Sequence, residues 1–97
     1  MTNVDHARTV DERLLNWGRS SRGVFDATDA ARVTLAWRTL ASRHREMLRM
    51  VYLWHANREV VCRRLKIPRR PPHLFALELE AARSALDRSL ANLQPSR

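Results

Sequence analysis

A chain of 97 residues, 44% of them apolar, has room for one core and excludes two independently packed domains. Two glycines, four prolines and a mixture rich in Leu, Ala and Arg exclude a β-rich fold, which needs β-branched runs and frequent turns. The expected class is all-α, a small multi-helix bundle.

The net charge of +8 is almost entirely arginine, with Lys66 as the only lysine. Its placement is uneven. Residues 1–30 sum to −1, residues 31–56 to +4, residues 57–75 to +5 and residues 76–97 to zero. A basic middle between neutral ends points to a face for phosphate, in preference to a genome-wide bias toward arginine codons. A single cysteine, Cys62, excludes an internal disulfide and sits in an apolar helical pattern, as a buried thiol in a reducing compartment does. The start MTNVDHARTVDE is polar, and no apolar run approaches a membrane span. The expected location is cytoplasmic.

Residues 1–8 lack periodicity and are expected to fray. A first helix starts near Thr9, with Glu12 completing a capping box, and carries Val10, Leu14 and Trp17 on one face. It stops at Gly18, and Ser20, Ser21 and Gly23 mark a loop. Asp26 or Thr28 caps a second helix, in which Ala30, Val33, Trp37 and Leu40 recur at helical spacing around Trp37 as the large core residue. Ser42 is the expected cap of a third helix with Met47, Leu48, Val51, Tyr52 and Trp54 on its apolar stripe. His55-Ala56-Asn57 forms a turn, and Asn57 caps a fourth helix that turns Val60, Val61 and Leu65 inward and Arg58, Arg63 and Arg64 outward. Ile67-Pro68 ends it, and Pro68 to Pro72 is a stiff cationic turn. The last helix is the longest, with Phe75, Leu79, Ala82, Leu86, Leu90 and Leu93 at alternating steps of four and three. That stripe suits an intramolecular core, with a homodimer seam as the alternative. The single helical domain is expected to span 9–94.

No catalytic constellation assembles. Histidines 6, 44, 55 and 73 are dispersed and none has metal-site spacing with Cys62. Glu78 and Glu80, two residues apart on a helix, face different ways. Neither a metal nor a cofactor is expected, and the chain reads as a non-enzyme.

From Leu40 to Leu86 the chain resembles the fourth region of bacterial sigma factors, a helix-turn-helix that reads promoter −35 elements. The matching elements are Leu40, Ser42-Arg43-His44-Arg45-Glu46, Met47 to Tyr52, the His55-Ala56-Asn57 turn, Arg58 to Ile67, and Leu79-x-x-Ala82-Arg83-x-x-Leu86. About three extra residues lie between Pro68 and His73. A sigma-like fold with an altered connection before the recognition helix is similar to phage antitermination proteins of the Q type. Their shorter members carry a Glu-Arg-x-x-x-Trp-Gly-like motif, here Asp11-Glu12-Arg13-Leu14-Leu15-Asn16-Trp17-Gly18.

This resemblance implies a helix-turn-helix at about 57–93 with a lengthened turn. It implies binding to double-stranded DNA near a phage late promoter, and loading onto bacterial RNA polymerase in the host cell so that pauses and terminators are ignored. Arg58, Arg63, Arg64, Lys66, Arg69 and Arg70 would attract phosphate, and His73, Leu74, Ala76, Leu77 and Glu78 would approach base edges in the major groove. Where a sigma-like recognition helix usually shows Lys, Arg, Ser or Thr, this one has Leu74, Ala76, Leu77, Glu78 and Glu80. Two alternatives follow from that departure. One is a stand-alone DNA-binding regulator, dimeric through its last helix. The other is a polymerase- or sigma-binding protein with weak DNA specificity.

Overall fold

Helix α1 (Val10–Trp17) begins where Thr9 leaves the extended region and its hydroxyl accepts from the Glu12 amide, while the Glu12 carboxylate accepts from the Thr9 amide. This reciprocal cap satisfies two of the amides that a helix start leaves without partners. The computed structural model describes residues 8–19 and 24–93. The expectations of a frayed segment over residues 1–7 and a loop through Ser20, Ser21 and Gly23 therefore fall outside the described residues. Arg8 itself pairs with Asp26 at 3.0 Å and with Asp29 at 3.7 Å.

Helix α2 (Ala27–Arg38) is capped by Asp26, whose carboxylate accepts from the Asp29 amide at 3.0 Å. That amide, and then Arg8, hold the Asp26 carboxyl below its usual pKa. The buried Asn16 fixes the distance between α1 and α2. Its side-chain amide donates to the Asp26 carbonyl at 2.9 Å, and its carbonyl accepts from the Asp26 amide at 2.8 Å. A neutral side chain thereby satisfies both backbone groups of one residue, so burying it costs little.

Helix α3 (Ser42–Leu48) follows almost at once, and here the expected cap is corrected. Ala41 occupies the cap position and makes no side-chain hydrogen bond, whereas Ser42 is already helical. The turn is held instead by the Arg45 guanidinium donating to the Leu40 carbonyl at 3.0 Å. The helix then widens into a π turn over Arg49–Leu53, closed by the Trp54 amide donating to the Arg49 carbonyl at 2.9 Å. Met47, Leu48, Met50 and Tyr52 face inward and Trp54 is 52% exposed. The expectation that Trp54 belongs to the core stripe is thus overturned. Trp37 is half-buried rather than central, packed on Trp17 at 5.8 Å between ring centroids with its indole N–H donating to the Arg45 carbonyl.

Helix α4 (Arg58–Leu65) packs on α3 and the π turn, while α5 (His73–Leu93) packs on α1, α2 and α3. One core cluster joins Leu14, Val33, Met47, Leu48, Val61, Ala82 and Leu86 with their neighbours. Ala82, Leu86 and Leu90 spend the central α5 stripe on this core; Phe75 and Leu79 are half-buried and Leu93 is exposed. Among the described residues no helix is long and apolar enough to cross a membrane.

A polar knot ties three of these elements together. Tyr52 in the π turn donates its hydroxyl to Asp11 of α1 at 2.9 Å and accepts from Arg83 of α5 at 3.1 Å. Burial raises the phenol pKa, the Arg83 side chain opposes the shift, and Asp11 adds to it. Gly18 abuts the same residue. A Cβ at Gly18 would lie 2.0 Å from the Tyr52 carbonyl oxygen, a backbone atom that cannot move aside.

Two outcomes test this packing. Leu86→Ala should cost about 2–5 kcal/mol in denaturant unfolding, and Gly18→Ala should destabilise despite adding a good helix former at a helix end. A neutral effect of the glycine substitution contradicts the close approach. Because Tyr52 titrates higher folded than unfolded, its contribution is complete below pH ~10 and disappears as pH rises further. Tyr52 is the only tyrosine, so Tyr52→Phe should flatten the alkaline limb of the stability curve.

Candidate nucleic-acid interface

The basic stretch is displayed by one short helix and the turn that leaves it. Asn57 starts α4, its side-chain carbonyl accepting from the Val60 amide at 2.9 Å. Val61, Cys62 and Leu65 then point inward and the intervening residues face water. Val60 is a correction to the inward set, being 41% exposed, and the buried Cys62 takes the position facing the core. The helix ends at Lys66, which adopts the left-handed conformation (φ 58°, ψ 44°). Lys66 and Ile67 return their amides to Arg63 and Cys62, the role glycine normally fills at a helix end. Ile67 is buried beneath the turn, and the Arg70–Pro71 peptide is cis.

The cations differ in how freely they are held. Arg58, expected to point out unattached, donates to the Pro72 carbonyl at 2.6 Å and lies over the Phe75 ring, so it straps α4 to the start of α5. Arg69 pairs with Glu59 at 2.8 Å. Arg64 pairs with Glu46 at 3.4 Å and lies over Trp54. Among the described residues, the side chains of Arg63, Lys66 and Arg70 are exposed and show no hydrogen bond or ion pair. Arg58 and Arg69 flank an open cleft of about 310 Å³ with Cys62, Pro68 and Phe75 on its walls, and Arg63 joins Arg69 at a smaller groove beside it. These arginines come from one helix and one turn, so their like charges add to a positive potential over one stretch of surface.

The start of α5 is different in kind. His73, Ala76 and Leu77 are exposed, with Leu77 at 57%, while Leu74 is half-buried against the core. Glu78, one of the residues expected to approach base edges, is engaged by Arg43 of α3 at 3.2 Å. Glu80 faces away from it and pairs with Arg83 of its own helix at 3.5 Å.

Arg43, which the sequence marks only as part of the sigma-like match, links three helices by also donating to the Leu65 carbonyl at 2.8 Å. That bond satisfies one of the carbonyls left open at the end of α4. No local pattern marks such a residue, because its partners lie 22 and 35 positions away. Arg83, part of the sigma-like motif, turns inward to Tyr52 and Asp11 at 3.1 and 3.5 Å.

Among the described residues no three His, Cys, Asp or Glu side chains gather as a metal group would require. No family model, curated protein or solved structure matches the chain.

The left-handed Lys66 yields a separable prediction. Lys66→Gly should raise stability by up to about 1 kcal/mol, by removing the Cβ clash of that conformation, while deleting one free cation. Lys66→Ala deletes the same charge and keeps the clash. Equal melting temperatures for the two variants contradict this account.

Proposed function

We propose that the chain is a phage transcription antitermination factor. It binds double-stranded DNA near a late promoter and loads onto bacterial RNA polymerase in the host cytoplasm, suppressing pausing and termination without catalysing a reaction. Its DNA-binding element is the helix-turn-helix of about 57–93, built from α4, a lengthened turn and α5. The observation that carries this reading is the display of Arg58, Arg63, Arg64, Lys66, Arg69 and Arg70 on α4 and the following turn, directly beside the first turn of α5. The ordered similarity to sigma fourth regions and to Q-type proteins supplies the polymerase and the antitermination step.

Arg63, Lys66 and Arg70 carry the first phosphate contacts in this scheme, because no acid among the described residues holds them. Arg69 joins by exchanging the exposed Glu59 for phosphate at little cost, and Arg64 by giving up the half-buried Glu46, which keeps its pairing with Arg49. A second reading is favoured by α5 itself. With Glu78 held by Arg43 and Ala76 and Leu77 exposed, the first turn of α5 suits a polymerase or sigma surface better than base edges. A stand-alone dimeric regulator is the weakest alternative, since Ala82, Leu86 and Leu90 are spent on the chain's own core.

Purified transcription through a terminator downstream of a phage late promoter tests the main reading: added protein should raise read-through, and unchanged read-through sinks it. In a gel shift, Arg69→Ala/Arg70→Ala should weaken binding on all duplexes alike and lower the salt slope by roughly 1–2, with the fold intact. Loss of binding to one sequence only would assign these arginines to base recognition instead.

A further inference from the structure

Trp54 stands out because a side chain of its size is half in water yet held in place. The Arg49 guanidinium lies 5.4 Å and that of Arg64 5.8 Å from its ring, and Arg49 also lies 5.7 Å from the Trp37 ring. Trp37 in turn packs on Trp17, so the exposed ring ends a stack that runs back into the core. On α4, Val60, Arg63 and Arg64 line an open depression of about 350 Å³, joined to the Trp54 ring through Arg64. Val60, like Trp54, leaves a large part of its apolar surface in water.

We propose that Trp54, Val60, Arg63 and Arg64 form a docking site for an acidic protein surface that inserts an apolar side chain beside Trp54. Charge selects the partner. Glu46, the acid that reaches this patch, pairs with both Arg49 and Arg64, and Arg63 has no partner among the described residues. A complementary surface must therefore bring carboxylates for the arginine rim and an apolar group for the centre. Tryptophan and arginine are the residues on which interface energy concentrates. Holding the ring in advance lowers the ordering cost of association. Duplex DNA can share the Arg63 and Arg64 rim but not the centre of the patch, because phosphates set over Trp54 and Val60 would lose water without gaining donors. The inference rests on the proposed function for the identity of the partner, bacterial RNA polymerase, and on the patch itself for the partner's chemistry.

The test titrates the full chain and its Trp54→Ala, Val60→Asp and Arg63→Glu/Arg64→Glu variants against purified bacterial RNA polymerase holoenzyme. Duplex and single-stranded DNA are titrated separately, and circular dichroism melts confirm folding. Each variant should lose about tenfold or more in polymerase affinity. Trp54→Ala and Val60→Asp should keep duplex affinity, and Arg69→Ala/Arg70→Ala should keep polymerase affinity. Folded Trp54→Ala and Val60→Asp variants that bind polymerase normally overturn the docking site. Loss confined to single-stranded DNA also overturns it, by assigning Trp54 to base stacking. Undiminished read-through by these variants sinks the docking site and leaves antitermination standing. Polymerase binding through the patch without read-through by the unaltered chain does the reverse. Failure of the unaltered chain to bind polymerase overturns both.

Discussion

The π turn at Arg49–Leu53 is the constraint on which the two faces of this protein depend. In a regular helix, Trp54 would return after seven residues to the face of Met47. The wider turn breaks that count. Tyr52 faces inward to meet Asp11 and Arg83, and Trp54 is carried out among the arginines. One added backbone step therefore closes the bundle on one side and equips its surface on the other. Turns of this kind recur at functional sites because they re-aim side chains without ending a helix.

Where the chain's own pattern is local, the sequence is transparent. The Thr9–Glu12 box, the Asp26 and Asn57 caps and the Ala82, Leu86 and Leu90 stretch of the α5 stripe depend on spacings of three or four residues, and each is found in place. The errors arise where a contact is distant or a period changes. Trp54 and Val60 follow an unbroken 3.6-residue count that the π turn and the Asn57 start reset. Asn16 looks like an ordinary polar residue in a short helix, and only the arrival of Asp26 beside it makes it buried. The candidate interface was legible as a charge distribution. Which of its cations are occupied was not, because Glu46, Glu59 and Glu78 are read as surface acids until their partners are known.

Those three glutamates also explain why formal charge overstates what a polyanion first meets. Each is placed against an arginine from a neighbouring turn or helix. Arg58 is bound to a backbone carbonyl as well as lying over an aromatic ring. The basic stretch thus contains cations that shape the fold and cations that are available, interleaved within a dozen residues. The most exposed of these pairs, Arg69–Glu59, adds little stability. The larger effect of the pairs is to set the order in which arginines become free.

The straps around α4 bear on its motion. On the core side it is seated by Val61, Cys62, Leu65 and the adjoining Ile67, all against α3 and its π turn. Toward α5 its recorded polar ties are Arg58 to the Pro72 carbonyl and, through Arg43, the Leu65 carbonyl to Glu78. Apolar seating fixes where the helix sits, whereas hydrogen bonds near water can break and reform with small change in free energy. The angle between α4 and α5 is accordingly held by a few polar ties near water, and a change in it would leave the apolar seating of α4 on α3 and the π turn undisturbed.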